Sequence, residues 1–320
     1  MSDNTVMTVL GPVSPGALGV VDAHSHLYIA SVAGGAADAP VLTDEAGIGR
    51  ELAAFRAAGG GAIVDCQPGG CGRDGRVLQR LSKQSGVHVV ASTGFHRRRY
   101  YPPDAPLFAL SAEAAADVFR DEIGNGLVET RASGQDDGTP AAAVFPGLIK
   151  IAAEASLPAA PIALFEAAAA VARETGYAVE MHTERGAAVM EFLAFFVARG
   201  LSPRRLVFCH VDKRPDFGLH RELALAGVML EYDTFFRPKY EPERHVWPLI
   251  RQMASAGLAG QVALATDMAD PGLWAELGGA PGLLGIFTII KEGLTRLSLP
   301  PATISGLLGG NIAARLAVGE

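Results

Sequence analysis

Six side chains that can bind metal ions or transfer protons stand within or at the ends of short apolar segments. They are His24, His26, Lys150, His182, His210 and Asp267. Imidazole and carboxylate groups ligate metals and carry protons, whereas a charged lysine in an apolar segment needs a partner or a chemical change. A single histidine of this kind is more typical of a hydrogen-bonding residue. Four of the chain's eight histidines in equivalent places indicate a site, provided that the fold brings them together.

The segments that would position these side chains recur along the chain. Eight apolar runs, each ending in polar residues, start on average about 35 residues apart, the length of one strand, one helix and two loops. They are 20–27, 62–68, 88–95, 147–152, 178–183, 205–211, 228–234 and 262–267. The runs are apolar on both faces, as buried parallel strands are. They predict an α/β fold of the (β/α)8 TIM-barrel type, forming a single catalytic domain over residues 1–320.

The segments between the runs carry signals of helices and loops. Helices are predicted over 161–175 and 186–199, because a proline opens the first segment and a glycine follows each of them. Two longer segments, 97–109 and 130–146, are rich in turn-forming residues and predict loops.

A barrel of this kind would place all six side chains at one end. Active sites of (β/α)8 barrels lie at the carboxyl ends of the strands. Side chains two residues apart in a strand point the same way, so His24 and His26 can reach one point. The alternative, a doubly wound sheet, would usually carry a glycine-rich phosphate loop after its first strand, where this chain has Ser25 between two histidines. We therefore expect five strands to bring the six side chains to the barrel mouth.

Composition and charge exclude several classes of protein. The chain has 320 residues, and 49% of them are hydrophobic, which is too apolar for a disordered chain. A net charge of -7 argues against a general nucleic-acid binder. Three cysteines are too few for a disulfide framework, and we recognise neither a signal peptide nor a membrane span. These features predict a cytoplasmic protein that acts on a small molecule, without a nucleic-acid or membrane partner.

Several segments taken together resemble the phosphotriesterase family of the amidohydrolase superfamily. The resemblance rests on the order of residue types along strands one, four, five, six and eight, and it covers nearly the whole chain. The matching segments are 21–27, 72–74, 91–95, 147–152, 181–183, 209–212 and 265–267. The aromatic residues after the third strand are similar to those of the lactonase branch of this family.

The resemblance implies a binuclear metal centre, usually of zinc. The more buried ion would be held by His24, His26 and Asp267, and the more exposed ion would be held by His182 and His210. Lys150 would take up carbon dioxide as N6-carboxylysine and bridge the two ions together with a hydroxide. The same ligands suit manganese, cobalt or iron. The resemblance further implies attack by that hydroxide, proton transfer through Asp267 to the leaving group, and a homodimer.

Two loops, after strands three and seven, are both basic and aromatic. In an acidic chain they indicate an anionic or phosphorylated substrate held by guanidinium groups, but a solvated loop paired with surface acids is an equally good interpretation. The candidate substrate contacts are Tyr100, Tyr101, Arg237 and Lys239. The resemblance makes lactone opening the leading reaction. Phosphotriester, carboxylic ester and amide hydrolysis are alternatives, and a non-catalytic binding protein on the same scaffold is a further one.

Other polar residues receive lesser roles. His96 is either a supporting residue of the site or part of a loop, whereas His220 and His245 are expected at the surface of helices. Asp212 is expected either to support the site or to cap the backbone. Thr234 stands where the resembling organophosphate hydrolases carry a relay histidine, so we do not expect that relay here.

Overall fold

Eight parallel strands form a barrel in the computed structural model, which describes residues 4–131, 142–154, 156–157 and 160–319. An antiparallel ribbon of β1 (Val6–Thr8) and β2 (Gly11–Val13) precedes the barrel. The barrel strands are β3 (Val20–Ser25), β4 (Gly60–Asp65), β5 (His88–Val90) continued by β6 (Ser92–Gly94), β7 (Leu148–Ala153), β8 (Val179–Thr183), β9 (Leu206–Cys209), β10 (Met229–Tyr232) and β11 (Val262–Leu264). Each of the eight predicted apolar runs overlaps one of these barrel strands, and the predicted fold class is confirmed.

Neighbouring strands pair in chain order from β3 to β11, with Ala91 linking β5 to β6. The residues directly after β11 close the circle against β3. The backbone N–H of Asp267 donates to the His24 carbonyl at 2.8 Å, and the N–H of Thr266 donates to the Asp22 carboxylate at 2.9 Å. This closure sets Asp267 beside the strand that carries His24.

Helices connect the strands and cover the barrel. They are α1 (Glu45–Ala57), α2 (Gly75–Ser85), α3 (Ala112–Asn125), α4 (Ile162–Thr175), α5 (Val189–Ala198), α6 (Phe217–Ala226), α7 (Pro242–Ser255), α8 (Glu292–Arg296), α9 (Pro301–Ser305) and α10 (Asn311–Leu316). Short polar side chains begin several of them; the Asp74 carboxylate accepts hydrogen bonds from the N–H groups of Arg76 and Val77 at the start of α2. Helices α4 and α5 lie within the two segments predicted to be helical.

The barrel interior is a packed apolar core toward the amino ends of the strands. Its buried members include Leu18, Val21, Leu148, Ala178, Val207, Ile312 and Leu316. Helix α10 is fastened there because the Asn311 amide donates to the Val262 carbonyl at 2.7 Å. Since this end is filled by side chains, a ligand site of the barrel has to lie at the opposite end.

The predicted loop over 97–109 is irregular apart from two short 3-10 turns, at Arg98–Tyr100 and Pro106–Ala109. The predicted loop over 130–146 lies partly outside the described residues. Across the described part of the chain, the helices are all too short or too polar to span a bilayer.

The prediction that His220 lies at the surface was wrong. Its side chain is fully buried in α6, where the ring lies 2.7 Å from the Tyr232 hydroxyl and 2.9 Å from the Arg214 carbonyl. Both ring nitrogens therefore have partners, and the residue joins α6 to β10. Helical spacing alone did not show that this face of α6 points inward.

Candidate metal centre

A pocket of about 270 Å³ opens at the carboxyl ends of the strands. Five of the six predicted side chains line it: His24, His26, His182, His210 and Asp267. The sixth, Lys150, lies fully buried in β7 beneath the pocket, with its Nζ atom 3.4 Å from His24 Nδ1. The fold therefore brings all six side chains together at this end. We call His24, His26 and Asp267 the inner half of the site, and His182 and His210 the outer half.

Two of the histidines are held through their Nδ1 atoms. Gln67 Oε1 lies 2.8 Å from His26 Nδ1, and Asp233 Oδ2 lies 2.6 Å from His210 Nδ1. An acceptor at this position keeps the proton on Nδ1 and leaves the Nε2 lone pair available. This arrangement is the one in which protein histidines usually present themselves to a metal.

The inner half gathers three such ligand atoms. The Nε2 atoms of His24 and His26 lie 3.8 and 3.7 Å from the same oxygen, Asp267 Oδ1. Ligand atoms of the three residues all lie within 4.8 Å of one another, so one divalent ion can bind them together. Behind His24, on the side away from Asp267, Glu231 Oε1 approaches Nδ1 at 2.7 Å.

The outer half faces the inner half across a short gap. The ring of His210 lies 4.9 Å from the ring of His24 and 4.7 Å from that of His182, centroid to centroid. His182 is turned the other way from its neighbours, because Glu184 Oε1 lies 3.2 Å from its Nε2 atom and leaves Nδ1 free. His210 and Asp267 both adopt positive φ angles, 63° and 50°, which are uncommon for such residues and typical of functional positions.

Lys150 has a carboxylate partner. Its Nζ atom donates to Glu180 Oε1 at 3.0 Å, and Cys209 Sγ lies 3.5 Å away. Burial lowers the pKa of Lys150, but the surrounding groups of Cys209, Cys66 and Glu180 hold that pKa well above its ordinary value. In the protein without cations this lysine is therefore an ammonium, whereas uptake of carbon dioxide needs the neutral amine.

Asp267 is paired with Arg237. The Arg237 Nη2 atom lies 3.0 Å from Asp267 Oδ2, and Nη1 donates to the carbonyls of Asp233 and Thr266. Burial raises the pKa of Asp267, but the Arg237 charge and the nearby histidines hold it well below its usual range. The carboxylate is thus fixed in place and stays ionised, as a metal ligand must be.

Three histidines of the site, His24, His182 and His210, have lowered pKa values and are neutral near pH 7. Burial, together with the Lys150 charge, lowers the pKa of His24 to about 4. Burial also lowers the pKa of His182 below, and that of His210 well below, the ordinary value. Because a protonated imidazole cannot bind a metal, these shifts keep the ligand atoms available in mildly acidic solution.

One wall of the pocket is apolar. The segment 29–41 supplies half of the lining residues, and all of them except Ser31 are apolar: Ile29, Ala30, Ser31, Val32, Gly35, Ala36, Ala37, Ala39, Pro40 and Val41. Tyr100 borders the pocket from the loop after β6 and packs edge-on against His96, with ring centroids 5.0 Å apart. His96 also lines the pocket and stacks on His26 at 6.1 Å, so it belongs to the site.

The other predicted substrate contacts lie elsewhere. Tyr101 is buried outside the pocket, where its hydroxyl accepts a hydrogen bond from the His96 N–H at 2.9 Å. Lys239 stands outside the pocket over the Tyr240 ring, at 5.2 Å. Arg237 contacts Asp267, as described above.

The basic residues that follow β6 are also engaged. Arg97 lies 3.3 Å from Glu154 and 3.1 Å from Glu184, and Arg98 donates to the carbonyl of Pro102 at 2.6 Å. Arg99 pairs with Asp38. The arginines of this loop are thus held by protein acceptors and do not line the pocket.

Five supporting groups were not found from the sequence: Gln67, Glu180, Glu184, Glu231 and Asp233. The available signal was strand alternation, because Glu180 precedes His182 by two residues and so points to the same side of β8. Asp212 turned out to cap the backbone: its Oδ2 atom accepts hydrogen bonds from the N–H groups of Asp233 and Thr234.

Comparisons with known proteins identify sequences and folds similar to this chain. A model described as "Phosphotriesterase family" matches residues 4–280. The chain is 28% identical over 280 residues to a phospho-furanose lactonase of Mycoplasmopsis synoviae (strain 53), covering 83% of this chain and 77% of that protein. It is 29% identical over 263 residues to an N-acetyltaurine hydrolase of Tetraodon nigroviridis, covering 72% and 71%. The fold superposes on a lactonase from Listeria monocytogenes with a TM-score of 0.86 at 20% identity, over 99% of both chains.

Proposed function

Because this chain belongs to the phosphotriesterase family, whose members are metal-dependent hydrolases, we propose that it opens a small lactone at a two-metal centre within one catalytic barrel. The observation that carries the proposal is the arrangement of the imidazoles. Acceptors at Nδ1 leave Nε2 of His26 and His210 free, and the Nε2 atoms of His24 and His26 converge on Asp267. Histidines that bind a metal ion are usually oriented in this way, with one ring nitrogen held by an acceptor and the other directed at the ion.

The residues present fit two divalent ions. The inner half offers two imidazoles and a carboxylate whose ligand atoms lie close together, and the outer half adds two imidazoles of the pocket lining. These donors suit zinc and also manganese, cobalt or iron. When bound, such ions lower the pKa of water and polarise a substrate carbonyl. The remaining tasks, holding the ions, orienting the substrate and excluding water, fall to the chain itself.

Lys150 is the proposed source of the ligand shared by both halves, as a carbamate formed with carbon dioxide. The Lys150–Glu180 ion pair is the contact that such a carbamate would have to replace, because it would bring a negative charge beside Glu180. A native mass spectrum of the metal-loaded protein, recorded at neutral pH where a metal-bound carbamate survives, tests this point. A mass higher by one carbon dioxide, lost in Lys150→Ala, is the expected result, whereas an unmodified mass in the metal-loaded protein would remove the carbamate from the proposal.

Asp267 and Arg237 act together in the proposed site. The guanidinium holds Oδ2 at 3.0 Å, so Oδ1 is turned toward the two inner histidines. We propose that Asp267 serves first as a ligand, then accepts the proton that the attacking water loses and passes it to the leaving alkoxide. Arg237 positions Asp267 instead of binding substrate. Tyr100 borders the pocket, and because burial raises its pKa above 10, its hydroxyl stays protonated and can donate a hydrogen bond to the substrate.

The pocket favours an uncharged and compact substrate. Its volume is about 270 Å³, its outer wall is made of small apolar residues, and the predicted basic contacts do not line it. A phosphorylated lactone would leave its phosphate without a partner in this wall. The similarity to a phospho-furanose lactonase supports the reaction type, and the similarity to N-acetyltaurine hydrolases supports amide hydrolysis as a second candidate.

A substrate panel tests the proposal. Protein stripped by a chelator and reloaded with zinc or manganese is assayed with simple γ- and δ-lactones, the matching phosphorylated lactones, N-acyl amino sulfonates and aryl phosphotriesters. We expect turnover of the simple lactones that disappears with the chelator and returns with the metal. Hydrolysis of the amides alone would replace the lactone assignment, and metal-independent or absent hydrolysis of the whole panel would contradict the proposed function.

A further inference from the structure

Two carboxyl groups lie inside the barrel beneath His24 and take no part as metal ligands in the proposed function. Glu180 in β8 and Glu231 in β10 are both fully buried. Burying a carboxylate is costly unless hydrogen bonds or an opposite charge compensate it. The two residues differ in how they meet this requirement.

Glu180 has polar partners inside the barrel. Its Oε1 atom accepts a hydrogen bond from the Lys150 ammonium at 3.0 Å and lies 2.7 Å from Cys66 Sγ. The charge of Glu180 is thus offset by a lysine that is equally buried. The cost of burying the Glu180 carboxylate is therefore compensated.

Glu231 has no such partner. Neither of its oxygens accepts a hydrogen bond from any residue that the structure describes. Its closest approach is to an imidazole: Oε1 lies 2.7 Å from His24 Nδ1. The other nitrogen of that imidazole, Nε2, faces Asp267 and the pocket.

A cation bound to His24 Nε2 would supply the positive charge that the buried Glu231 carboxylate lacks. Binding through Nε2 keeps the His24 proton on Nδ1 and makes that N–H a stronger donor. Two carboxylates flank this nitrogen, Glu231 Oε1 at 2.7 Å and Glu180 Oε1 at 3.1 Å, and of the two Glu231 is the one without another partner among the described residues. Resting on the proposed metal centre, we propose that Glu231 is a positioning residue, which fixes His24 toward the inner cation and contributes the buried negative charge that raises the affinity for it.

A cation bound directly among the deep groups is a poorer account of the same atoms. Ligand atoms of His24, Glu180, Cys209 and Glu231 do lie within 4.8 Å of one another. However, Lys150 Nζ already stands among them, 3.0 Å from Glu180 Oε1 and 3.5 Å from Cys209 Sγ. In the protein without cations the ammonium occupies the cationic position of this cluster, and in the proposed carbamate form the Lys150 side chain still fills that space. The remaining place for a metal is therefore on the far side of His24.

The experiment compares two Glu→Gln substitutions of buried residues. Glu231→Gln tests the proposal, and Glu51→Gln is the matched control, because Glu51 is also buried but caps the backbone N–H groups of Glu276 and Leu283 away from the pocket. Zinc dissociation constants are measured by chelator competition, and melting temperatures are measured with and without zinc. Neither readout depends on turnover.

We expect Glu231→Gln to weaken zinc binding about 10- to 100-fold, since loss of a group behind a metal ligand typically has this effect. The substitution should leave the melting temperature of zinc-free protein nearly unchanged, because no hydrogen bond from a described residue is lost. The stabilisation by zinc should therefore shrink. Glu51→Gln should lower both melting temperatures equally and leave the dissociation constant at the wild-type value.

Equal zinc affinity in wild type and Glu231→Gln would overturn the inference, as would an equal loss of stability with and without zinc. If Glu231→Gln does not fold, Glu231→Asp replaces it, because aspartate keeps the charge but withdraws it from His24 by one methylene. An affinity between those of wild type and a ligand variant is then expected, and wild-type affinity would overturn the inference. Failure of the proposed function is visible separately, as absence of zinc binding by the wild type.

Discussion

The inner and outer halves of the candidate metal centre differ in the groups that support their imidazoles. In the inner half the supporting groups, Glu231 and Gln67, are shielded from water. In the outer half His182 is supported by Glu184, whose side chain is 37% exposed, whereas His210 is supported by the buried Asp233. Charges act more strongly in a dry environment than at the surface, where water and salt screen them.

This difference indicates a division of work between the halves. A rigid inner half with buried support should bind its ion first and hold it, while the outer half, open to the pocket through His182, should exchange its ion and meet the substrate. Four substitutions test this difference between the halves.

Asp267→Asn removes the charge of the inner half while keeping the shape of the side chain. Removal of a group that supports a metal ligand typically lowers metal affinity or activity by about 10- to 100-fold. Loss of the charge of a ligand itself should therefore lower kcat/KM for the best lactone by at least about 100-fold. Steady-state kinetics in excess zinc measures this. The circular dichroism spectrum should match that of the wild type, and near-normal turnover would count against the role of Asp267.

Asp233→Asn weakens the support of His210 in the outer half. The carboxylate lies 2.6 Å from His210 Nδ1, so its loss should lower the affinity for the outer ion by about 10- to 100-fold and leave the inner ion in place. Elemental analysis after dialysis at low zinc should then find one ion per chain in the variant and two in the wild type. Loss of both ions together would show that the halves are not independent.

His220→Gln compares the site with a buried histidine that has no metal to bind. Burial lowers the pKa of His220 from 6.5 to about 4, so between these pH values the unfolded chain takes up a proton that the folded chain does not. The contribution of His220 to the free energy of unfolding is full above pH 6.5. It is lost as the pH falls to about 4, by an amount on the order of 3 kcal/mol.

Urea unfolding of zinc-free wild type and His220→Gln at pH 7 and pH 4.5 measures this effect. The difference in the free energy of unfolding between the two proteins should shrink as the pH falls. A difference in the free energy of unfolding that does not change with pH would show that the pKa of His220 is not lowered in the folded protein.

Glu184→Gln changes the exposed support of the outer half and should have the smallest effect. Exposed ion pairs contribute about 0–1 kcal/mol, so zinc affinity should change by less than about fivefold. The same chelator competition used for the inner half measures it. A loss as large as that expected for Asp233→Asn would contradict the assigned difference between buried and exposed support.

The fold and the ligand types were predictable because they follow from short-range patterns. Apolar runs about 35 residues apart predicted the barrel, and polar residues at the ends of those runs marked the place where strands converge. Even the placement of His24 beside His26 needed no more than the alternation of a strand.

What could not be predicted depends on contacts between distant segments. Arg237 was assigned to the substrate because of its charge, but its partner is Asp267, thirty residues later in the chain. Tyr100 and Tyr101 are adjacent and equally aromatic, yet Tyr100 borders the pocket and Tyr101 is buried. Glu231 was not singled out in the sequence, because its contact with His24 depends on β10 and β3 lying in one barrel.

Anomalous X-ray diffraction from zinc-loaded crystals, recorded on both sides of the zinc absorption edge, tests the central claim most directly. We predict two anomalous peaks per chain, one within about 2.0–2.2 Å of ligand atoms of His24, His26 and Asp267, and the other equally close to His182 and His210. A fully zinc-loaded crystal with no peak between these side chains, or with peaks bound elsewhere on the barrel, would contradict the account.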